Sequence, residues 1–239
     1  MGEFGDRMKS YETKEKILSG IPFVARIDGK SFSKWTKGCA KPFDDLLHGA
    51  FIKTVVTLIK ETHACIGYTQ SDEITLIYNE DSDYFGRKIQ KLTSVLASIA
   101  TSAFNDCFKE KPPAYFDCRV FGVPTRIEAS NALLWREMDA TKNAISSVAS
   151  AHFSHKSLHK LNTKQMQEKL WSEKDINFND YPASFKRGSF LQNRQYEKEP
   201  DVLRHAVKLL DMPKFVTVEN RVGVIFEQED PILYMKEIK

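Results

Sequence analysis

Cysteine is scarce, and the four that occur, Cys39, Cys65, Cys107 and Cys118, form no CxxC pair. Their spacing suits neither a zinc knuckle nor a disulfide framework. Reduced, mostly buried thiols in a cytoplasmic protein are expected. No apolar run approaches the roughly 18 residues of a membrane span, and the N-terminus has no apolar signal-peptide core. No membrane partner is therefore expected. Strong charge of one sign is also missing: 35 Lys and Arg stand against 32 Asp and Glu, a net +3. That balance permits nucleic-acid binding without demanding it. No Ser-His-Asp or Cys-His set has a recognisable nucleophile context, which sets hydrolase chemistry aside. There is no internal repeat and no low-complexity segment.

What is present reads as one large domain, or a domain with an appendage. Met1 to Arg7 reads as a cloning remnant ahead of a native start at Met8. Pro22 to Asp28 is a short buried strand ending at a carboxylate, with Gly29 supplying the turn. Phe43 to Ile59 carries an apolar stripe at 3.6-residue spacing, hence an amphipathic helix. Ala64 to Tyr68 and Glu73 to Tyr78 flank Thr69-Gln70-Ser71-Asp72 and predict a hairpin. Tyr84 to Phe108 is a second long helix, with Phe85, Ile89, Leu92, Leu96, Ile99 and Ala103 on one face, stopped by Pro112 and Pro113. Tyr115 to Val123 is a strand. Glu128 to about Val148 is a third helix, striped by Leu133, Leu134, Met138, Ile145 and Val148.

Strand, helix, strand, strand, helix, strand is the split βαβ, ferredoxin-like order. The fold class is therefore α+β, with the palm seen in polymerases and nucleotide cyclases. The palm is expected over residues 8–150. Residues 151–239 are expected to form a C-terminal helical and hairpin extension that packs on the palm and adds RNA contacts. Within it, the pattern predicts a short helix near Thr163 to Trp171 and another over Asp201 to Asp211. Phe215 to Val218 and Val222 to Phe226, flanking Asn220-Arg221, predict a terminal hairpin.

Two carboxylates sit at useful places. Asp28 ends the first strand, and Asp72 lies in the hairpin turn with Glu73 behind it. In a split βαβ sheet these elements are neighbours, so the two can converge. Mg²⁺ takes oxygen ligands, usually one or two carboxylates plus phosphate oxygens, and two such ions can activate a hydroxyl and stabilise a leaving group. The Gly29 carbonyl offers a further ligand. The plainer reading is that both are turn or cap residues, because Asp and Gly dominate turns.

Six segments in order resemble the tRNA-His guanylyltransferase family. They are Arg26-Ile27-Asp28-Gly29-Lys30-Ser31-Phe32, Lys41-Pro42, Gln70-Ser71-Asp72-Glu73, Phe116-Asp117-Cys118-Arg119, Trp135-Arg136-Glu137-Met138-Asp139 and Lys186-Arg187-Gly188. They span about residues 22 to 190. The resemblance implies a 3′-to-5′ nucleotidyltransferase with a polymerase-type palm, using ATP or GTP as substrates. It implies that Asp28, the Gly29 carbonyl and Asp72 hold two Mg²⁺ ions and that Glu73 supports them, so Asp28, Asp72 and Glu73 would be the catalytic set. It implies that Asp28, Gly29, Lys30, Ser31, Phe32 and Ser33, with Ser71 and Asp72, cradle a nucleoside triphosphate, and that Lys41 meets a triphosphate or the activated RNA end. Arg119, Lys186 and Arg187 become candidate phosphate or tRNA contacts, since Arg offers a planar fork suited to phosphate. An ion pair of Arg119 with Asp117 is the alternative. The implied partners are tRNA and nucleoside triphosphates, and the implied assembly is a homotetramer.

The chain departs from the family in one stretch. Eukaryotic members carry a His-Ile-Asn-Asn-Leu-Tyr-Asn run, linked to selectivity for tRNA-His, where this chain has Thr141-Lys142-Asn143-Ala144-Ile145-Ser146-Ser147. It therefore looks more like the like-protein branch, which restores truncated tRNA 5′ ends by templated addition. True tRNA-His guanylylation and a palm-fold nucleotide cyclase are the alternatives. His152, His155 and His159 share a helical spacing but lie among Lys156 and Lys160, so a basic, RNA-facing surface is preferred to a metal site. Trp35 and Trp171 could stack on bases, with burial the default for a lone Trp.

Overall fold

Strand β1 (Phe23–Gly29) sends Phe23, Ala25 and Ile27 into one apolar cluster and Val24 into another. Successive strand residues point to opposite faces, so a sheet built on this strand needs a cover on both sides. The computed structural model, which describes residues 2–199 and 202–234, supplies both covers. After α1 (Gly2–Lys9) and β1 come α2 (Phe32–Trp35), α3 (Asp45–Thr62), β2 (Ile66–Gln70), β3 (Glu73–Tyr78), α4 (Ile89–Asn105) and β4 (Phe116–Gly122). They are followed by α5 (Arg126–His152), α6 (His155–Leu158), α7 (Thr163–Lys174), α8 (Ala183–Arg187), β5 (Ser189–Glu199), β6 (Val202–Leu209) and α9 (Arg221–Phe226).

The strands form a six-stranded sheet in the order β4-β1-β3-β2-β5-β6, each pair antiparallel. The first four strands in that order give the split βαβ arrangement, and the class is α+β. Helices α3 and α4 cover one face through Phe51, Val55, Leu92, Leu96 and Phe104. Helix α5 crosses the other face through Ala129 and Leu133, joined by Val224 and Ile225 of α9. A third cluster ties the far end of α5 to Leu158, Leu170 and Phe185. Hairpin β5–β6 continues the same sheet by pairing β5 with β2.

Four expectations need correction. The helix expected from Tyr84 starts at Ile89, because Phe85, Gly86 and Arg87 take positive φ of 53°, 59° and 57°. The buried Arg87 guanidinium locks that turn by donating to the carbonyls of Glu80, Ser82 and Ile21 at 3.0, 2.9 and 2.5 Å. In the third helix Met138 is 52 % exposed, so it is not part of the buried stripe. The expected helix over Asp201 to Asp211 is strand β6, with Asp201 itself outside the described residues. Its apolar spacing fits a helix locally, but β5 offers a ladder from Leu191↔Leu209 outward, broken only by a register shift between Glu197 and Glu199, and Val207 packs on the core. The expected terminal hairpin is a short 3₁₀ turn at Phe215–Thr217 followed by helix α9. Phe215 is buried there, with its N–H donating to the Glu137 carboxylate at 2.9 Å.

Cys39, Cys65, Cys107 and Cys118 are free and only partly buried. Burial and the neighbouring Asp117 push the Cys118 thiol up to about 12. No described helix is long and apolar enough to cross a membrane. Gly67 lets α3 lie close on β2, since a Cβ there would sit 2.5 Å from Val55 Cγ1. Gly67→Ala is therefore expected to lower stability by about 1–3 kcal/mol through overpacking. Chemical denaturation measures this, and an unchanged midpoint would contradict the close packing.

Candidate active site at the end of the first strand

Ile27 is buried under α3 and α4, so its neighbour Asp28 points to the α5 face. Register places Glu73 of β3 and Asp117 of β4 beside Asp28 on that face. Asp72 follows Ser71 in a two-residue turn, where Ser71 takes φ 56° and its hydroxyl donates to Asp72 Oδ1 at 3.1 Å. The Gly29 N–H donates to the Asp72 carbonyl at 3.1 Å, tying the strand end to the turn. Burial raises the Asp72 carboxyl above its ordinary value, and the charge of Asp28 adds to the rise. The two carboxylates thus converge as the sequence predicts.

A cavity of about 880 Å³ opens at this point. Asp28, Gly29, Ser31, Phe32 and Ser33 line it from the first strand and the turn after it, and Ser71, Asp72 and Glu73 from the hairpin. Lys41 lines it too, just before a cis bond to Pro42. The exposed Lys30 does not line it; its N–H donates to the Tyr115 carbonyl at 2.8 Å. A Cβ on Gly29 would meet the Phe32 ring at 2.5 Å, so ring packing requires glycine there. Phe32 is buried against Trp35, Phe51 and Phe104, and Trp35 Nε1 donates to the Pro112 carbonyl at 2.7 Å. Trp35 is therefore held by packing, while Trp171 is 58 % exposed.

Glu73 reaches the same cavity but is already engaged. Arg136 of α5, 2 % exposed, pairs with it, and Arg26 lies 3.6 Å away. Arg136 also donates to Asp139 at 3.1 Å, and the Trp135 ring carries both Arg26 and Arg136 against its face. Glu73 thereby links the hairpin to α5. The candidate RNA contacts lie outside the cavity. Arg119 is more than half exposed, with Asp117 at 3.4 Å, which is the ion-pair alternative. Lys186 Nζ donates to the Asn179 carbonyl at 2.5 Å. Arg187 lines a second cavity of about 310 Å³, which shares Ser184 with the first.

Sequence reasoning missed three contributors. Arg136 sat in a quoted motif without a role, although a charged residue among buried α5 positions was the available signal. His48 lines the cavity with Nε2 3.0 Å from Ser189 Oγ, and burial lowers its pKa. Asn143, Ser146, Ser147 and Ser150 of α5 form the cavity's far wall. That wall includes part of the divergent Thr141–Ser147 stretch, and only the three-dimensional path of α5 reveals it.

Among the described residues no group of three or more His, Cys, Asp and Glu forms a self-sufficient metal cage. Two converging carboxylates with a backbone carbonyl beside them instead suit Mg²⁺, which completes its shell with water and substrate phosphates. Burial and the charge of Asp28 both disfavour the ionised form of Asp72, which a cation bound beside it would favour.

The profile of the family described as tRNAHis guanylyltransferase matches residues 5–124. A solved bacterial tRNA(HIS) guanylyltransferase-like protein in complex with ATP superposes with a TM-score of 0.83 at 38 % identity, over 94 % of this chain and 98 % of that one. One in complex with GTP gives 0.77 at 39 % identity, over 89 % and 94 %. The tRNA(His) guanylyltransferase of Saccharomyces cerevisiae is 29 % identical over 211 residues, 78 % of this chain and 89 % of that one.

Proposed function

The chain belongs to the tRNA-His guanylyltransferase family and is a nucleotidyltransferase, and from that premise we propose that it adds nucleotides in the 3′-to-5′ direction to truncated tRNA 5′ ends. The observation that carries this reading is the Asp28–Asp72 pair in a cavity also lined by Gly29, Ser31, Ser33 and Lys41. Similar bacterial proteins are solved in complex with ATP and with GTP, which supports nucleoside triphosphates as ligands of this chain. In this reading Asp28, Asp72 and the Gly29 carbonyl would hold two Mg²⁺ ions, which would supply charge neutralisation at the phosphates and make the attacking hydroxyl more acidic.

The chain's own groups do the positioning. The Gly29–Ser33 loop and Ser71 hold the triphosphate, and Lys41 faces it as a point charge. The RNA 5′-monophosphate attacks the α-phosphorus of ATP or GTP, and pyrophosphate leaves. The 3′-hydroxyl of an incoming nucleotide then attacks the activated 5′-phosphate, its proton is lost, and AMP or GMP leaves. We assign these steps to a homotetramer in the cytoplasm.

The Thr141–Ser147 stretch, part of which lines the cavity, lacks the His-Ile-Asn-Asn-Leu-Tyr-Asn side chains linked in the family to selectivity for tRNA-His. Pairing with a template base then selects the nucleotide. Several truncated tRNAs with different anticodons should each receive the nucleotide complementary to the opposite acceptor strand. Rates on those substrates, on full-length tRNA-His and on nucleotides without RNA form the test. A strong preference for full-length tRNA-His would favour true guanylylation, and RNA-independent cyclisation would defeat both.

A further inference from the structure

We propose that α6, α7 and the C-terminal end of α5 form a docking surface for the phosphate backbone of the tRNA, an inference that rests on the nucleotidyltransferase reading above. The cavity wall runs along α5 through Ser147, Ser150 and Ala151, and α5 ends at His152. A backbone running from the cavity along α5 would meet α6 and α7 next. Five lysines, Lys156, Lys160, Lys164, Lys169 and Lys174, follow within 23 residues, against Glu168, Glu173 and Asp175.

The arrangement is held rigidly from below. Leu158 and Leu170 are buried in the cluster that carries Val148 and Ala149 of α5. Asn162 and Gln165 close a capping box at the start of α7. With those anchors inward, Lys156, Lys160 and Lys164 are exposed. Among the described residues none of the three takes part in an ion pair, whereas Lys169 pairs with Glu173 at 2.5 Å. Lys169 and Lys174 place their ammonium groups 4.8 and 5.7 Å from one ring, that of Phe153 at the α5–α6 junction. Trp171 stands exposed one face-repeat from Lys164. Exposed cations interleaved with an aromatic ring are the pattern of backbone tracking and base stacking.

Unpaired lysines release counterions when they meet phosphate, so their contribution reads out as salt dependence. The full-length chain is titrated with a 5′-truncated tRNA at several salt concentrations, beside the triple variant Lys156→Glu, Lys160→Glu, Lys164→Glu. The expected result is at least a tenfold weaker affinity at low salt, with a log–log salt slope shallower by about 2 to 3. ATP binding and the melting temperature should stay as in the parent chain. Trp171→Ala should weaken binding without changing the slope. A milder Lys-to-Gln triple variant should show the same flattening if the Glu version melts early. Unchanged affinity and slope in the triple variants would overturn the surface. An altered oligomeric state with RNA binding intact would also overturn it, making the ridge a protein contact. A parent chain that binds no tRNA would instead defeat the proposed function itself.

Discussion

Asp72→Asn should lose nucleotide addition by about 10³-fold or more and at the same time melt at a higher temperature in metal-free buffer. The activity loss follows from removing one of two converging carboxylates, with which several kcal/mol of charge stabilisation at the phosphates would go. The stability gain follows from where Asp72 sits. Burial and the charge of Asp28 both disfavour its ionised form, so its folded pKa lies above the unfolded value. A carboxyl shifted in that direction lowers stability once the pH exceeds its folded pKa. The deficit shrinks as pH falls through that value and is gone below the unfolded one. The gain of Asp72→Asn should therefore be full at neutral pH and fade in acid. Asp28→Asn should be equally inactive and should relieve the same repulsion from the other side. Single-turnover addition and thermal melts across pH measure both halves. Near-parental addition by either variant with Mg²⁺ present would sink the metal assignment, and a drop in melting temperature at neutral pH would contradict the repulsion. Site groups that cost stability while serving function are a recurring trade.

Much of this site was legible in the chain. The strand ending at Asp28 and the Ser71-Asp72 turn are local features, written in apolar runs and turn residues, and register brings them together wherever a split βαβ sheet forms. Less was legible where a partner distant in sequence decides. The 202–209 segment has apolar positions that fit a helix, and only pairing with β5 makes it a strand. Phe215 and α9 depend on Glu137, 78 residues earlier, to receive a buried N–H. The Phe85-Gly86-Arg87 turn depends on carbonyls as distant as that of Ile21. The far wall of the cavity was illegible for the same reason. Asn143, Ser146 and Ser147 look like the polar side of a surface helix, and become cavity lining because α5 runs past the carboxylates on its way across the sheet.

The contact between α5 and the hairpin has its own measurable consequence. Arg136 is a charged group only 2 % exposed, and its Nε has no partner among the described residues. Its compensation comes from Glu73 and Asp139. Removing one partner of a buried pair leaves an uncompensated charge, which costs about 3 kcal/mol at the low end of the usual range. The low end applies because Glu73 is 20 % exposed and Arg26 remains beside it, while Asp139 remains for Arg136. Glu73→Gln and Arg136→Met should each destabilise by about that amount. The double variant should cost clearly less than the sum, with a coupling of about 0.5–3 kcal/mol in a denaturation cycle. The same geometry separates two views of Glu73. A carboxylate held by Arg136 and Arg26 acts on the chemistry by keeping Asp72 in place, so Glu73→Gln should lower the addition rate by roughly tenfold, one decade being about 1.4 kcal/mol of barrier, far short of the loss in Asp72→Asn. If Glu73→Gln instead matched the Asp72 variant in activity while unfolding like the parent chain, Glu73 would belong with the metal-binding carboxylates and its pairing with Arg136 would be incidental.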